Sequence, residues 1–363
     1  MWEILIFFSI SLPFPSHSYS IYQDSYSSWA SKYHTNFKNS TEPPSSNAYQ
    51  HNVDLINEHN SKDDDFEAGL NKFSYLSTEQ FVDNFCGTVL PKKLLLSNPK
   101  LLSARKLNNF DEEDLPESIS WKEFASPSRD QGDECGSCWA FSVMALIETQ
   151  NRIRNYMWNK SLAPQYLVDC HKKKDKCRGE WPADALRFLK FKSRNQAPTE
   201  EDYPYTGEED DCESHGVPKV PLNIKNIYDY DIEADENKLK YHLANYGPII
   251  IAMNVDRSSG LFQHYKKGVF YDEGCNKSDK DCKTINHSML LLGYGVTEDS
   301  KRKPYFLVQN SWTGVKMASS EWLWVETIIA ILLAMQFTST TANDQLQIII
   351  IFDFINLVKY ILY

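Results

Sequence analysis

Three absences narrow the reading of this chain before any motif is considered. Positive charge is not in excess: 38 Lys and Arg stand against 49 Asp and Glu, a formal net charge of -11. Acidic runs at Asp63–Asp65, Asp111–Asp114 and Glu208–Asp211 add to that balance and argue against a nucleic-acid partner. No apolar run reads as a membrane span. Ile4–Phe14 is too short, and Ile348–Tyr363 is short and carries Asp353 and Lys359, so a membrane anchor is not expected. Finally, Cys135-Gly136-Ser137-Cys138 has no second C-x-x-C to complete a four-cysteine zinc site, and the region lacks the compact βαβ pattern of a redox C-x-x-C. Nothing that remains requires a metal or a cofactor.

At 363 residues and 42.0 kDa the chain has room for two ordinary domains, or one large one with appendages. Ile4–Phe14, followed by Pro15, Ser16, His17 and Ser18, reads as the apolar core and cleavage zone of a secretory signal peptide over residues 1–20, although no Lys or Arg precedes it. Export places the eight cysteines in an oxidising compartment where they can pair. Sequons at Asn39, Asn159, Asn276 and Asn286 fit that route. The last abuts His287 and is expected to be unused.

Residues Asp130–Ser142, DQGDECGSCWAFS, place one thiol where a nucleophile is made. Cys138 follows the Gly136-Ser137 turn and opens a run to Tyr156 whose apolar residues Ala140, Phe141, Val143, Met144, Leu146 and Ile147 fit the buried side of a helix. A cysteine at a helix N-terminus with a histidine partner has its pKa lowered from about 8.5 to below neutrality. Candidates for the partners lie downstream: His287 in INHSMLLLGYG and Asn310 in YFLVQNSW.

Cys-Gly-Ser-Cys-Trp, followed in order by these two segments, resembles the papain-like cysteine proteases, in particular cathepsin L- and F-like zymogens. The resemblance implies an α+β papain-like fold, with a helical domain and a barrel-like domain facing across a cleft, preceded by a helical inhibitory propeptide. The strand-forming residues concentrated after Asn223 agree with it. It implies Cys138 as nucleophile, His287 as proton shuttle, Asn310 as its orienting group and Gln131 as an oxyanion donor. Gln131 lies seven residues before Cys138 where the family has six, so its geometry is open.

The domains expected are the propeptide over 21–112, the peptidase domain over 113–316 and a tail over 317–363. In the propeptide, Glu42, Ser46, Tyr49, Asn52, Ile56 and Asn60 follow the family's interrupted helix motif with Ser46 in place of arginine. Gly69, Asn71 and Phe73 follow a second motif with Tyr75 in place of aspartate. Activation cleavage is expected between about Arg105 and Leu115. The family's pairings imply disulfides Cys135–Cys177 and Cys170–Cys212. Cys275 lacks its usual partner, so a local bridge to Cys282 stays open, and Cys86 is odd.

Substrate binding is implied for Gly179, Glu180, Trp181, Pro182, Ala252, Ser288 and Trp312, with an apolar side chain preferred two residues before the cut. Glu180 replaces a glycine that lets substrate backbone approach, which threatens docking. Implied partners are protein or peptide substrates, the chain's own propeptide and cystatin-like inhibitors. The implied location is the secretory pathway, lysosomal or extracellular.

After Trp312 the resemblance stops, and the chain continues as TGVKMASSEWLWVETIIAILLAMQF and QLQIIIIFDFINLVKYILY. Translated noncoding sequence in place of the family's last segment is the reading preferred here. The activity expected is endopeptidase cleavage through a thioester. The alternatives are an inactive relative with a binding or inhibitory role, and a chain whose unfinished strands leave an edge unpaired.

Overall fold

The computed structural model describes residues 26, 28–33, 46–62, 64–89, 115–171, 175–230, 236–271 and 285–312, and two further strands at Trp322–Val325 and Ile331–Phe337. The signal region, the cleavage zone, Glu42, Asn39, Asn276, Cys275 and Cys282 lie outside them.

The propeptide is built on helix α1, Ser46–Asn60, and short strand β1, Phe66–Ala68. The asparagines of the sequence motif clamp the backbone of the segments that follow the helix. Asn52 Nδ2 donates to the carbonyls of Ser74 and Leu76 at 3.0 and 2.9 Å, and Asn60 bonds both the amide and the carbonyl of Ala68 at 2.9 Å. Helix α2, Thr78–Phe85, starts at a capping box in which Ser77 and Gln80 satisfy each other's backbone amides. Its buried Phe81, Val82 and Phe85 point it at the main body.

Helix α3, Cys138–Arg154, is buried on nearly all sides and forms the spine of the helical domain. Such a helix must satisfy its polar side chains internally. Ser142 and Thr149 donate back to the carbonyls of Trp139 and Ala145, and fully buried Glu148 pairs with Arg129 and accepts from Leu162 N at 2.7 Å. Helices α4, Pro164–Cys170, and α5, Pro182–Arg187, begin on prolines, whose missing amides cost nothing in a first turn. Disulfides Cys135–Cys177 and Cys170–Cys212 staple this domain, each across 42 residues. A loop of that length is worth about 4 kcal/mol in the chain-entropy account.

Strands β2, Ile119–Ser120, β5, Ile224–Tyr230, β6, Ile249–Met253, β7, Tyr265–Phe270, β8, His287–Val296, and β9, Pro304–Gln309, belong to one nine-stranded sheet. A small separate ladder joins β3, Gln196–Ala197, to β4, Val220–Pro221, and helix α6, Glu236–Tyr246, precedes β6. Strand alternation divides the core in two. Ile249, Ile251, Met289 and Leu291 face a cluster that includes propeptide residues Ile56, Phe66, Phe73 and Phe81. Ile250, Ala252, Leu290 and Leu292 face α3 and its neighbours.

Two described strands fall within the 317–363 segment. Strand β10, Trp322–Val325, pairs antiparallel with β9 and parallel with β7, and β11, Ile331–Phe337, runs between β6 and β5. Trp and Val in β10 suit an extended chain, whereas Leu-Leu-Ala-Met in β11 favours a helix by propensity, and the sheet edge decides by supplying backbone partners. In this arrangement β9, β6 and β5 each have a partner from this segment.

The propeptide also enters this sheet, because β1 pairs antiparallel with β7, Glu67 opposite Lys267. Glu67 is held by Lys266 and by Lys267 at 2.8 Å, and Asp65 by Lys303 and by Lys301 at 3.3 Å. Hydrogen bonds from Lys266 and then Lys267 lower the Glu67 carboxyl below its usual range. Its anchoring contribution is complete above the free-carboxyl value and is lost as pH falls through the depressed one. Glu67→Gln in the full chain is expected to move the midpoint of acid-triggered propeptide release to higher pH, measured by processing across a pH series. An unchanged midpoint would remove Glu67 from the latch.

Candidate active site

Cys138 is the first residue of α3 and is fully buried. Its thiol accepts from Gly87 N at 3.3 Å and contacts Thr88 Oγ1 at 3.4 Å. Burial by itself would raise this thiol. The His287 imidazole, the Thr88 hydroxyl and the Gly87 amide outweigh burial and bring it down to about 7.

His287 opens β8, opposite Met253 of β6. Its Nε2 lies 2.9 Å from Asn310 Oδ1, and the same oxygen accepts from Ser311 N at 2.8 Å. The Ser311 amide marks Oδ1 as the acceptor oxygen, so Nε2 carries the proton and Nδ1 is the basic nitrogen. Trp312 stacks on the imidazole at 4.6 Å between centroids, 26° from parallel, and keeps water from the His–Asn pair. The ring is in turn covered by Phe81 at 5.0 Å and Phe262 at 5.5 Å.

Gln131 is brought into the site despite its shifted spacing. Its Oε1 accepts from Ser311 Oγ at 2.7 Å and Trp312 Nε1 at 3.2 Å, which orients Nε2 toward Phe85 O at 2.9 Å and Cys135 O at 3.2 Å. The extra loop residue is taken up beside a second departure. Burial, and next the Asp133 carboxylate that its hydroxyl reaches, push the Tyr75 phenol up to about 12. Tyr75 thus meets the lengthened loop 132–134 from the propeptide side, while Lys72 bridges to Asp130.

The cleft is filled by the segment after α2, which sequence reading left unassigned. Thr88 forms a parallel bridge with Glu180, in which Glu180 N donates to Gly87 O at 2.9 Å and Val89 N lies 3.5 Å from Glu180 O. Thr88 N donates to Asn286 O at 2.8 Å, and Thr88 Oγ1 is 2.5 Å from Ser288 Oγ. A glycine flanked by residues with hydrogen-bonding side chains, just past an amphipathic helix, was the signal available for it.

The Glu180 side chain, expected to threaten docking, turns away from residues 87–89. It folds back so that Oε1 accepts from Trp181 N at 2.9 Å and Oε2 lies 3.4 Å from His171 Nδ1. The required glycine is Gly179, at φ 111°, where an added Cβ would fall 2.3 Å from Gly87 O. Trp181, Pro182, Ala252 and Ser288 are buried, Ala252 directly opposite Ser288. Asn286 spends its side chain on Val255, donating at 3.0 Å and accepting at 2.8 Å, which opposes glycan attachment. Asn159 is exposed. Among the described residues the free cysteines are Cys86 and Cys138, and burial raises the Cys86 thiol far from reactivity.

A thiol at a helix start, lowered by a histidine that an asparagine orients, and covered by a segment of its own chain, defines a thiol hydrolase held as a proenzyme. The comparisons agree. The model for the papain family cysteine proteases matches residues 115–324, and that for the cathepsin propeptide inhibitor domain matches residues 26–81. The KDEL-tailed cysteine endopeptidase CEP2 of Arabidopsis thaliana is 34% identical over 275 residues, covering 73% of this chain and 70% of the relative. Bovine (Bos taurus) pro-cathepsin H is 31% identical over 272 residues, 73% of this chain and 74% of its own. The recombinant stem bromelain precursor shares the fold, with TM-score 0.71 and 24% identity over 88% of this chain and all of that one. Digestive procathepsin L 3 from Tenebrio molitor larval midgut superposes with TM-score 0.68 at 25% identity, covering 87% and 99%. The chain belongs to the papain family of cysteine proteases, and it carries that family's inhibitory propeptide.

Proposed function

We propose that Cys138, His287, Asn310 and Gln131 carry out peptide-bond hydrolysis once residues 85–89 leave the cleft. The observation that carries this reading is the placement of Cys138, at a helix start beside an imidazole whose Nε2 is committed to Asn310. The Cys138 thiolate adds to the scissile carbonyl carbon. The oxygen becomes an oxyanion held by Gln131 Nε2 and the Cys138 amide, which has no partner within its helix. The C–N bond then breaks as His287 gives its proton to the leaving amine, and a thioester remains. Water attacks that thioester while His287 takes its proton, releasing the acid and regenerating the thiol.

The propeptide resists the same chemistry by misregistration. The carbonyl at the oxyanion donor belongs to Phe85, whereas the sulfur contacts the N–H of Gly87. No single carbonyl carbon is offered to both groups.

The processed chain is read as a protein-cleaving endopeptidase of the secretory pathway, lysosomal or extracellular, inhibited by cystatin-like proteins and indifferent to nucleic acid. Signal removal after about residue 20 and activation between about Arg105 and Leu115 complete its maturation. Among the described residues no helix is long and apolar enough to cross a membrane. Trp181, Pro182, Ala252 and Ser288 favour an apolar side chain two residues before the cut. The processed enzyme is expected to prefer leucine or phenylalanine there over aspartate by at least about tenfold in kcat/KM, measured on a peptide series. Equal rates across the series would remove that pocket assignment.

A further inference from the structure

The edge that meets residues 87–89 is made of backbone, and Glu180 brings a carboxylate to it. Both peptide groups of Glu180 are turned to the cleft, where its N–H meets Gly87 O and its carbonyl meets Val89 N. The carboxylate attached to that same residue has two places to go. If it swings outward, it enters the cleft beside carbonyl oxygens, where two acceptors repel and occupying chain is displaced.

The observed position is inward, with only 8% of the residue exposed. One oxygen takes the Trp181 amide and the other sits against His171 Nδ1. His171 is held by its backbone and by two neighbouring rings. It caps the C-terminus of α4, its N–H bonded to Leu167 O, directly after Cys170 of the Cys170–Cys212 disulfide. Its ring lies 5.8 Å from Trp139 and edge-on to Phe188 at 5.5 Å.

We propose that His171 is a positioning residue for substrate: by holding the Glu180 side chain beneath the cleft wall, it keeps the Glu180 backbone free to pair with an incoming peptide. This rests on the reading that peptides occupy the edge now filled by residues 87–89. Glu180 recognises backbone alone and contributes no charge selectivity. His171 acts only through Glu180.

Because His171 acts only through Glu180, a rescue tests it. In the processed enzyme, His171→Ala is expected to raise KM by about tenfold while kcat stays within about twofold, the signature of lost uniform binding. His171→Ala/Glu180→Gly is expected to lie within about threefold of Glu180→Gly in KM, because no side chain remains for His171 to place. Amide exchange at residue 180 in the full-length proenzyme gives a readout independent of catalysis: faster in His171→Ala, restored in the double variant. An unchanged KM and exchange rate in His171→Ala would overturn the proposal. So would a double variant impaired about tenfold relative to Glu180→Gly, since that would make His171 a general support of the domain. If the native processed enzyme hydrolyses nothing, the reading of the catalytic site fails, and exchange at residue 180 still decides this proposal.

Discussion

Processed enzyme carrying Cys138→Ala is expected to lose at least about 10⁴-fold in kcat/KM on any peptide substrate. The loss is this large because no other group takes over. Ser137 is the nearest hydroxyl in sequence, but its Oγ is bonded to Cys135 O and to Tyr205 OH at 2.6 Å, and it has no imidazole. What survives is the contribution of Gln131 and of substrate binding, which does not need the thiol. The fold is expected to persist: alanine is a good helix former at the first position of α3, and the change removes one sulfur. His287→Ala is expected to cost nearly as much, and the pair little more than either alone, because thiol and imidazole act as one unit. Activity above a hundredth of native in Cys138→Ala would place the nucleophile elsewhere.

Gly87→Val in the full-length chain is expected to unlock the proenzyme. A Cβ at residue 87 would fall 1.6 Å from Gly136 O and 2.4 Å from its carbonyl carbon, so the strand cannot stay where it is. The opposite wall is as tight, since Gly179 approaches Gly87 from the other side. Displacement breaks the bonds from Gly87 N to Cys138 Sγ, from Glu180 N to Gly87 O and from Thr88 N to Asn286 O. At about 1 kcal/mol net for each bond, inhibition weakens by roughly 10²-fold or more. The propeptide itself stays attached, because the Ser77–Gln80 box and the packing of Phe81 and Phe85 on Trp312 are untouched. Labelling of uncleaved Gly87→Val by a peptidyl epoxide at neutral pH is therefore expected to run about a hundredfold faster than that of the native proenzyme. Equal rates would mean that the helix, and not the cleft segment, carries the inhibition.

The parts of this molecule that were legible in the sequence are those where chemistry restricts the residue. Cys138, His287 and Asn310 each sat in a motif of their own, and the structure brings them together at one end of α3 and the start of β8. The α+β division was legible because strand-forming residues concentrate after Asn223. Clamping asparagines at 52 and 60 were visible as a spacing, although their partners were not.

What escaped was set by contacts between distant segments. The orientation of Glu180 depends on His171, a residue without a motif. Accommodation of the lengthened loop depends on Tyr75 meeting Asp133, so two departures that looked separately damaging offset each other. The late strands β10 and β11 were unreadable for a different reason. Apolar periodicity there suits neither a clean strand nor a helix, and it is vacancy beside β9, and between β6 and β5, that selects the extended form.

In the proposed mechanism one thiol, Cys138, becomes reactive only when residues 85–89 leave it. Mass-spectrometric mapping of a peptidyl epoxide adduct, on the proenzyme and after propeptide removal, tests this most directly. A single adduct on Cys138, present after removal and absent before, is the predicted result. An adduct of equal yield on the intact proenzyme, or one on another residue with Cys138 unmodified, would contradict the account.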